Sequence, residues 1–457
     1  MSDEAAAQPP PESVKGARKP QILKGFRDYL PDQMRLRQEV IARFRTVFEA
    51  HGFEPLDTPA IEYLEVLTGK AGENEKLMYE FEDHGGRQVG LRYDLTVPLA
   101  RVVAMHQSEL VLPFKRYHIA PVWRAEKPQR GRFREFWQCD ADIAGAPSAL
   151  ADAEVIAILG ESLTAVDLPA FSMLISHRAL LARLAVWAGV PEELAGQVYR
   201  SVDKLAKIGP HAVIEEMTGA GIEAAHAERI LDAIMDTGDS SGMLHELRQR
   251  LGGDGAAMHA IGELEEIFAV LPAMGIPEGQ ARFDPTLARG LDYYTGPVFE
   301  ATVDEPKVGS MAGGGRYEHL IGSFMNRTIS ATGVSLGMER ILEVLNEYNT
   351  LPISAAAADV LVVTFADSVP ASARIARQLR SSGLRAELAS QSQRSVGEQL
   401  KYASRKNIPF AVIAGQAEIE KNEVGLKNLQ TGEQVSLSLG EAVARIGSGK
   451  AESEASS

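Results

Sequence analysis

A single cysteine, Cys139, is the only thiol in the chain. It excludes an intrachain disulfide and any metal site built from several cysteines. It fits a reducing compartment, and the expected location is the cytoplasm. No run of ~20 apolar residues is present, so no membrane span is expected. Residues 1–20 lack an apolar core and do not read as a secretory signal. Positive charge is in deficit: 47 Lys and Arg stand against 62 Asp and Glu, a net charge of −15. That balance argues against a general nucleic-acid coat, while leaving room for a local basic patch on an acidic body. No solenoid repeat and no kinase signature set is visible.

What is there is a chain of 457 residues, long enough for two or three domains with substantial cores. Residues 1–20 and 447–457 are polar and low in apolar content and read as disordered tails. Residues 21–169 and 282–350 mix helices with short apolar strands, the pattern of an antiparallel sheet with long connections. A helix over 32–50 carries Met34, Ile41, Phe44 and Phe48 on one face. Strands are expected at 114–120, 136–144 and 298–303, a buried helix at 151–166, and a glycine turn or strand end leading into a helix over 333–346. Residues 170–281, rich in Ala, Leu and Glu, read as a helical insertion. Residues 357–446 alternate strands with helices, as a small α/β domain does.

Several segments concentrate chemistry. Arg289-Gly290-Leu291-Asp292-Tyr293-Tyr294-Thr295-Gly296 puts a permanent cation beside two phenols and two glycines. It is compatible with a strand entering a turn and with a binding site for a carboxylate or phosphate. Residues 115–134 hold seven Lys or Arg against one acid, Glu126, with Pro128 and Gly131 in the middle. A strand, basic loop and strand of this kind suits a polyphosphate, and Phe133 and Phe136 can stack on a base. Directly after it, period two puts Cys139, Ala141 and Ile143 on one strand face and Gln138, Asp140 and Asp142 on the other. Asp94 and Thr96, also two apart, look like a matching element, and carboxylates there suit an ammonium or a ring N–H. Gly313-Gly314-Gly315-Arg316-Tyr317 fits neither a P-loop nor a dinucleotide fold and reads as backbone pressed against a small molecule. Arg340 opens a helix, where it can cover an adenine face.

Together these segments resemble the histidyl-tRNA synthetases, a family of class II aminoacyl-tRNA synthetases, over about residues 21–446. The helix at 32–50 looks like the class II dimer motif, VWRAEKPQRGRFREF like the ATP-binding hairpin, and GVSLGMERI like the third class motif. RGLDYYTG and GGGRY are similar to the family's histidine signatures. The resemblance implies an α+β catalytic domain, its antiparallel sheet flanked by helices, with a helical insertion and a C-terminal α/β anticodon-binding domain. It implies activation of L-histidine by ATP and transfer to the 3′ end of its tRNA, by a homodimer. Asp94 and Thr96, with Gln138, would hold the α-ammonium. Asp142 and Tyr293 would bind the imidazole nitrogens, with Tyr294 and Tyr317 closing the pocket. Arg289 would contact the carboxylate and the α-phosphate, Arg124 the α-phosphate, and Arg132 the terminal phosphates. Glu126 would meet the adenine or a magnesium ion, and Phe136 and Arg340 would sandwich the adenine. Magnesium would ride on the ATP phosphates rather than in a dedicated protein site. Arg394, Lys401, Arg405 and Lys406 are candidate tRNA contacts on charge alone.

The familiar bacterial pattern has glutamates where this chain has Asp94 and Asp142, and LRYDLT and QCDADIAG look more like the eukaryotic-type branch. A pocket that hydrogen-bonds polar groups rejects analogues lacking them by roughly 10⁴–10⁵, so no editing domain is expected. The rival reading is a non-catalytic paralogue that binds histidine and regulates a phosphoribosyltransferase. That paralogue typically lacks the anticodon-binding domain and part of the signatures.

Overall fold

The computed structural model describes residues 19–68, 72–235, 238–288, 293–351 and 356–455, without the side chains of 72–74 and 449–455. The expected tail over 1–18 and the head of the first motif, Arg289 to Asp292, lie outside the described residues. Two compact units emerge, one of residues 19–30 and 37–348, the other of residues 31–36 and 349–455.

The first unit is built on eight strands: β1 (Glu54–Pro55), β2 (Phe114–Trp123), β3 (Glu135–Ala144), β4 (Ser172–His177), β5 (Ala281–Phe283), β6 (Pro297–Thr302), β7 (Ala312–Tyr317) and β8 (Ala331–Gly337). Their order across the sheet is β1-β2-β3-β8-β7-β6-β4-β5. Only the outer pairs, β1 with β2 and β4 with β5, are parallel; the interior is antiparallel. The expected strand–loop–strand of the basic segment is the β2–β3 hairpin, ten residues paired on each side. Its loop is held by Pro128 and by Gly131, whose φ of 65° only glycine takes without strain.

Helix α1 (Pro31–Ala50) buries Val40, Phe44 and Phe48, a row four residues apart, while Met34 and Ile41 are only partly covered. Phe44 and Phe48 hold the expected face, and Val40 and Leu36 complete it in place of Ile41 and Met34. Phe48 packs on Tyr117 of β2 with centroids 5.7 Å apart. Each such fully buried ring stabilises the fold by about 1.5–3 kcal/mol relative to exposure. Helix α2 (Thr96–Met105) and helix α3 (Ala149–Ala165) are almost wholly apolar where they meet the sheet, and Ser148 caps α3.

The boundary expected at 170–281 shifts inward. Ser172–His177, assigned to the helical insertion on composition, is a strand of the main sheet, and Ala281–Phe283, at the expected boundary, is another. Between them the described residues form six α-helices, from Arg178–Ala188 to Gly255–Val270. The sequence pattern predicts helices over 180–188, 192–205, 222–235 and 243–251, and two of the six are not among them. Leu205–Gly219 is broken by Gly209, at φ 79°, followed by Pro210. Gly255–Val270 opens in a glycine-rich stretch but is capped by Asp254.

In the second unit five strands, β9 (Val360–Val362), β10 (Ala386–Leu388), β11 (Phe410–Ile413), β12 (Val424–Asn428) and β13 (Gln434–Leu437), run in the order β10-β9-β11-β12-β13. The first three are parallel and the last two antiparallel. Val360, Val362, Leu379, Val412 and Leu426 form its core. The expected tail from 447 is instead largely helical: the helix Leu439–Ala455 runs on through Gly447 and Gly449 despite their low helix propensity. Among the described residues no helix is long and apolar enough to cross a membrane.

Candidate active site

A cleft of ≈ 300 Å³ opens on one face of the main sheet, lined by Arg124, Glu126, Arg132, Phe133, Phe136, Gln138, Tyr294, Gly313 and Arg340 among others. Seven of the expected site residues, Arg124, Glu126, Arg132, Phe136, Gln138, Tyr294 and Arg340, thus line one cleft. Arg124 Nε donates to the Tyr93 carbonyl at 2.9 Å, and its guanidinium sits 5.2 Å from the Phe136 ring centroid. Arg132 pairs with Glu126 at 3.0 Å. Arg340, on helix α4 (Met338–Tyr348), donates to the Ser310 carbonyl.

Beyond Gln138 the cleft meets a buried acidic floor. Gln138, Asp140 and Asp142 share one face of β3, as the two-residue period requires, and all three are buried. Asp94 joins them by a different route from the one expected. It does not sit on a strand: the neighbouring strand ends at Leu91, and Thr96 is the first residue of α2. Asp94 Oδ1 accepts from the Val97 backbone N–H at 3.0 Å, so the carboxylate is held at a helix start. Tyr293 and Tyr294 likewise lie in a turn, with Thr295 N donating to the Arg316 carbonyl at 2.9 Å. Their rings stack edge-on, Tyr293 against Tyr294 at 5.0 Å and against Tyr317 at 5.7 Å.

The electrostatics of this floor are unusual. Burial pushes the Asp94 carboxyl up, opposed by the Val97 N–H and by Arg124. Burial raises Asp142 as well, opposed by Arg116 and by the Tyr317 hydroxyl. Asp140 is driven to about 8, by burial first, with Arg116 pulling down and Asp142 pushing up. Burial also lifts the hydroxyls of Tyr293, Tyr294 and Tyr317, which stay neutral donors at neutral pH. Asp142 Oδ2 faces the Arg116 guanidinium at 2.8 Å, whereas Asp94 Oδ2, Gln138 Oε1 and Asp140 Oδ1 are buried acceptors with no hydrogen bond from any described residue. Such atoms are rare in native proteins and call for an explanation. Three carboxylates share few cations, so a donor-rich, positively charged ligand would complete the floor.

Several participants escaped the sequence reading. Tyr317 does more than close the pocket: its hydroxyl donates to Asp142 Oδ1 at 2.6 Å. Ser335 receives the Gln138 amide at 2.6 Å. Arg116, fully buried, faces Asp142 across the hairpin at 2.8 Å. Gly333 is the residue paired with Asp142 on β8, and a Cβ there would lie 1.9 Å from Asp142 Oδ1. The hairpin register, countable outward from the 124–134 loop, was the one signal that pointed to Arg116. Glu339 anchors the cleft's far side: it accepts from Arg37 at 2.7 Å, from Tyr29 at 3.1 Å and from the Trp137 N–H at 2.9 Å.

The glycine triplet is corrected in part. Gly313 and Gly314 both line the cleft, but the missing side chains of Gly314 and Gly315 make room for protein, the Gly333 carbonyl and Phe299 ring for one and the Pro297 carbonyl for the other. In the second unit Arg394, Lys401 and Arg405 are exposed, the last two on Val396–Arg405. Lys406 is half-buried and paired with Glu387 at 2.7 Å.

Comparison with known proteins gives the family. A family model described as histidyl-tRNA synthetase matches residues 25–341, and one described as an anticodon-binding domain matches 359–448. A histidine–tRNA ligase of Rhodopirellula baltica is 42% identical over 91% of this chain and 94% of its own. One from Aeropyrum pernix is 42% identical over 94% of this chain and 98% of its own. The crystal structure of a histidyl-tRNA synthetase from Nostoc sp. PCC 7120 superposes with a TM-score of 0.83 at 32% identity, covering 94% of this chain and all of that one. The two matches together set aside the reading as a regulatory paralogue. The fold is the class II arrangement with a separate C-terminal sheet, and the chain belongs to the histidyl-tRNA synthetase family.

Proposed function

We propose the following division of labour for the histidine–tRNA ligase reaction in this chain. The observation that carries it is the set of buried acceptors without donors on the pocket floor. Histidine brings the donors they lack. Its α-ammonium would be taken by Asp94, with Thr96 and Gln138 beside it. Its imidazole would lie between Asp142 and Tyr293, under Tyr294 and Tyr317. Asp142 Oδ1 is engaged by Tyr317 and Oδ2 lies 2.8 Å from Arg116 Nη2, and a carboxylate oxygen so held still has a lone pair for a ring N–H.

ATP would occupy the adjoining cleft, adenine between Phe136 and Arg340, α-phosphate on Arg124 and terminal phosphates on Arg132. Arg289 would bridge the histidine carboxylate and the α-phosphate. In the first step a carboxylate oxygen attacks the α-phosphorus, a new O–P bond forms, and the bond to the β-phosphate oxygen breaks to release pyrophosphate. Two anions must approach, and fixed arginines offset that repulsion and the charge developing on the phosphorus oxygens. In the second, a hydroxyl of the tRNA 3′ end attacks the acyl carbon and AMP leaves.

Magnesium would supply charge neutralisation on the phosphates. Among the described residues no group of three His, Cys, Asp or Glu is placed to hold a metal. Glu126 Oε2, paired with Arg132 at 3.0 Å, would suit an ion that arrives on the nucleotide as Arg132 turns to the phosphates. Arg394, Lys401, Arg405 and Lys406 would contact tRNA, and the working form would be a cytoplasmic homodimer.

The test is histidine-dependent exchange between ATP and pyrophosphate. The assignment expects exchange with L-histidine and none with an analogue whose ring lacks N–H groups. Comparable exchange with that analogue would remove the imidazole pocket from the account.

A further inference from the structure

The histidine site draws on two distant parts of the chain, the Asp94–Thr96 turn and strand β3. One side chain touches both. Arg116 rises from β2, fully buried. Its Nη2 donates to the Leu95 carbonyl at 3.1 Å, the residue between Asp94 and Thr96, and lies 2.8 Å from Asp142 Oδ2. Its Nε and Nη1 have no hydrogen-bond partner among the described residues. A buried guanidinium so poorly satisfied costs stability, and an apolar residue would serve a purely structural strand better.

We propose that Arg116 is a positioning residue of the histidine site, fixing the span between the ammonium-binding turn and the imidazole-binding carboxylate. The inference rests on the assignment of Asp94 and Asp142 to histidine. Without the guanidinium the Leu95 carbonyl and the Asp142 carboxylate would lose their common partner, and the two ends of the pocket would set their spacing independently. A misplacement of about 1 Å in such a site costs on the order of 10²-fold in rate.

Charge follows the same geometry. The groups facing Asp142 are Arg116 from β2, Tyr317 from β7, Asp140 from its own strand, Asp94 from the turn before α2 and Tyr294 from the turn before β6. Gly333 on β8 brings no side chain. Among these groups Arg116 alone is cationic, and it opposes the upward push of burial on Asp142. Without it Asp142 would hold its proton to higher pH and lose the acceptor that a ring N–H requires.

The experiment is pyrophosphate exchange with Arg116→Met, Arg116→Lys, Asp142→Asn and the double variant Arg116→Met/Asp142→Asn. Arg116→Met should raise KM for histidine roughly 10- to 100-fold, the scale of a lost charged hydrogen bond, with KM for ATP within about twofold. The rising limb of its kcat/KM for histidine should move to higher pH. Arg116→Lys should restore part of the loss. The double variant should be no worse than Asp142→Asn alone, because Arg116 acts through Asp142. Fully additive losses, or a fall in kcat with both KM values unmoved, would overturn the proposal. If Arg116→Met does not fold, Arg116→Lys decides: a parental KM for histidine overturns the proposal, and a raised one with parental KM for ATP supports it. A parental KM in Asp142→Asn would instead overturn the underlying histidine assignment.

Discussion

Gly333→Ala is the smallest change this account makes decisive. Gly333 faces Asp142 across the β3–β8 ladder, and the alanine Cβ would sit 1.9 Å from Oδ1 and 2.4 Å from Cγ of that side chain. An ordinary carbon–oxygen approach is roughly 3.3 Å, so the carboxylate must retreat by about 1.4 Å or rotate away. Either motion breaks the 2.6 Å bond from Tyr317 and the contact with Arg116. Overpacking of this kind costs about 1–3 kcal/mol of stability, which a domain of this size tolerates. A displacement of that size at a positioned acceptor costs on the order of 10²-fold in kcat/KM. Steady-state pyrophosphate exchange with histidine and ATP varied separately reads it. The expected outcome is a large rise in KM for histidine with KM for ATP nearly unchanged. A folded Gly333→Ala variant with parental histidine kinetics would refute the reasoning.

Three further outcomes follow from other parts of the structure. Arg37→Met leaves Glu339 buried without the guanidinium it holds at 2.7 Å, and should lower stability by about 3–5 kcal/mol in urea unfolding; a shift under 1 kcal/mol would contradict the pairing. Asp140 has its folded-state pKa raised to about 8 from an ordinary 3.8, so the fold keeps a proton that the unfolded chain releases. Stability therefore falls as pH rises between those values and levels above, and Asp140→Asn should flatten that slope; parallel urea midpoints for the two proteins across pH 4–8 would count against it. Reversing charge at Lys401 and Arg405 should raise KM for tRNA in charging several-fold and spare pyrophosphate exchange, since both are exposed on one helix. Unchanged charging would remove that helix from the tRNA surface.

The β2–β3 hairpin and the polar face of β3 were legible because alternation and a basic, Pro- and Gly-marked loop are local signals. The fold class was legible for the same reason, strand by strand. What local signals could not carry was register between distant segments. Arg116 and Gly333 matter only because β2 and β8 flank β3, and nothing near 333 in sequence mentions Asp142. Asp94 and Thr96 looked like a strand pair because two-residue spacing also fits a helix start, where Asp94 in fact bonds the Val97 N–H. Ser172–His177 was given to the helical insertion because a short apolar run beside alanine-rich helices lacks length to arbitrate. Gly209 and Pro210 hid one helix by breaking it. The acceptors without donors needed coordinates, since satisfaction is a property of neighbours in space.

The central claim is that Asp142 reads the imidazole of histidine. Its direct test is the KM for histidine of Asp142→Asn in pyrophosphate exchange, measured with saturating ATP beside the parent. The amide keeps the shape and loses the charge, so the account predicts a rise of at least roughly 10-fold with KM for ATP unmoved. A parental KM for histidine in a folded Asp142→Asn variant would contradict it.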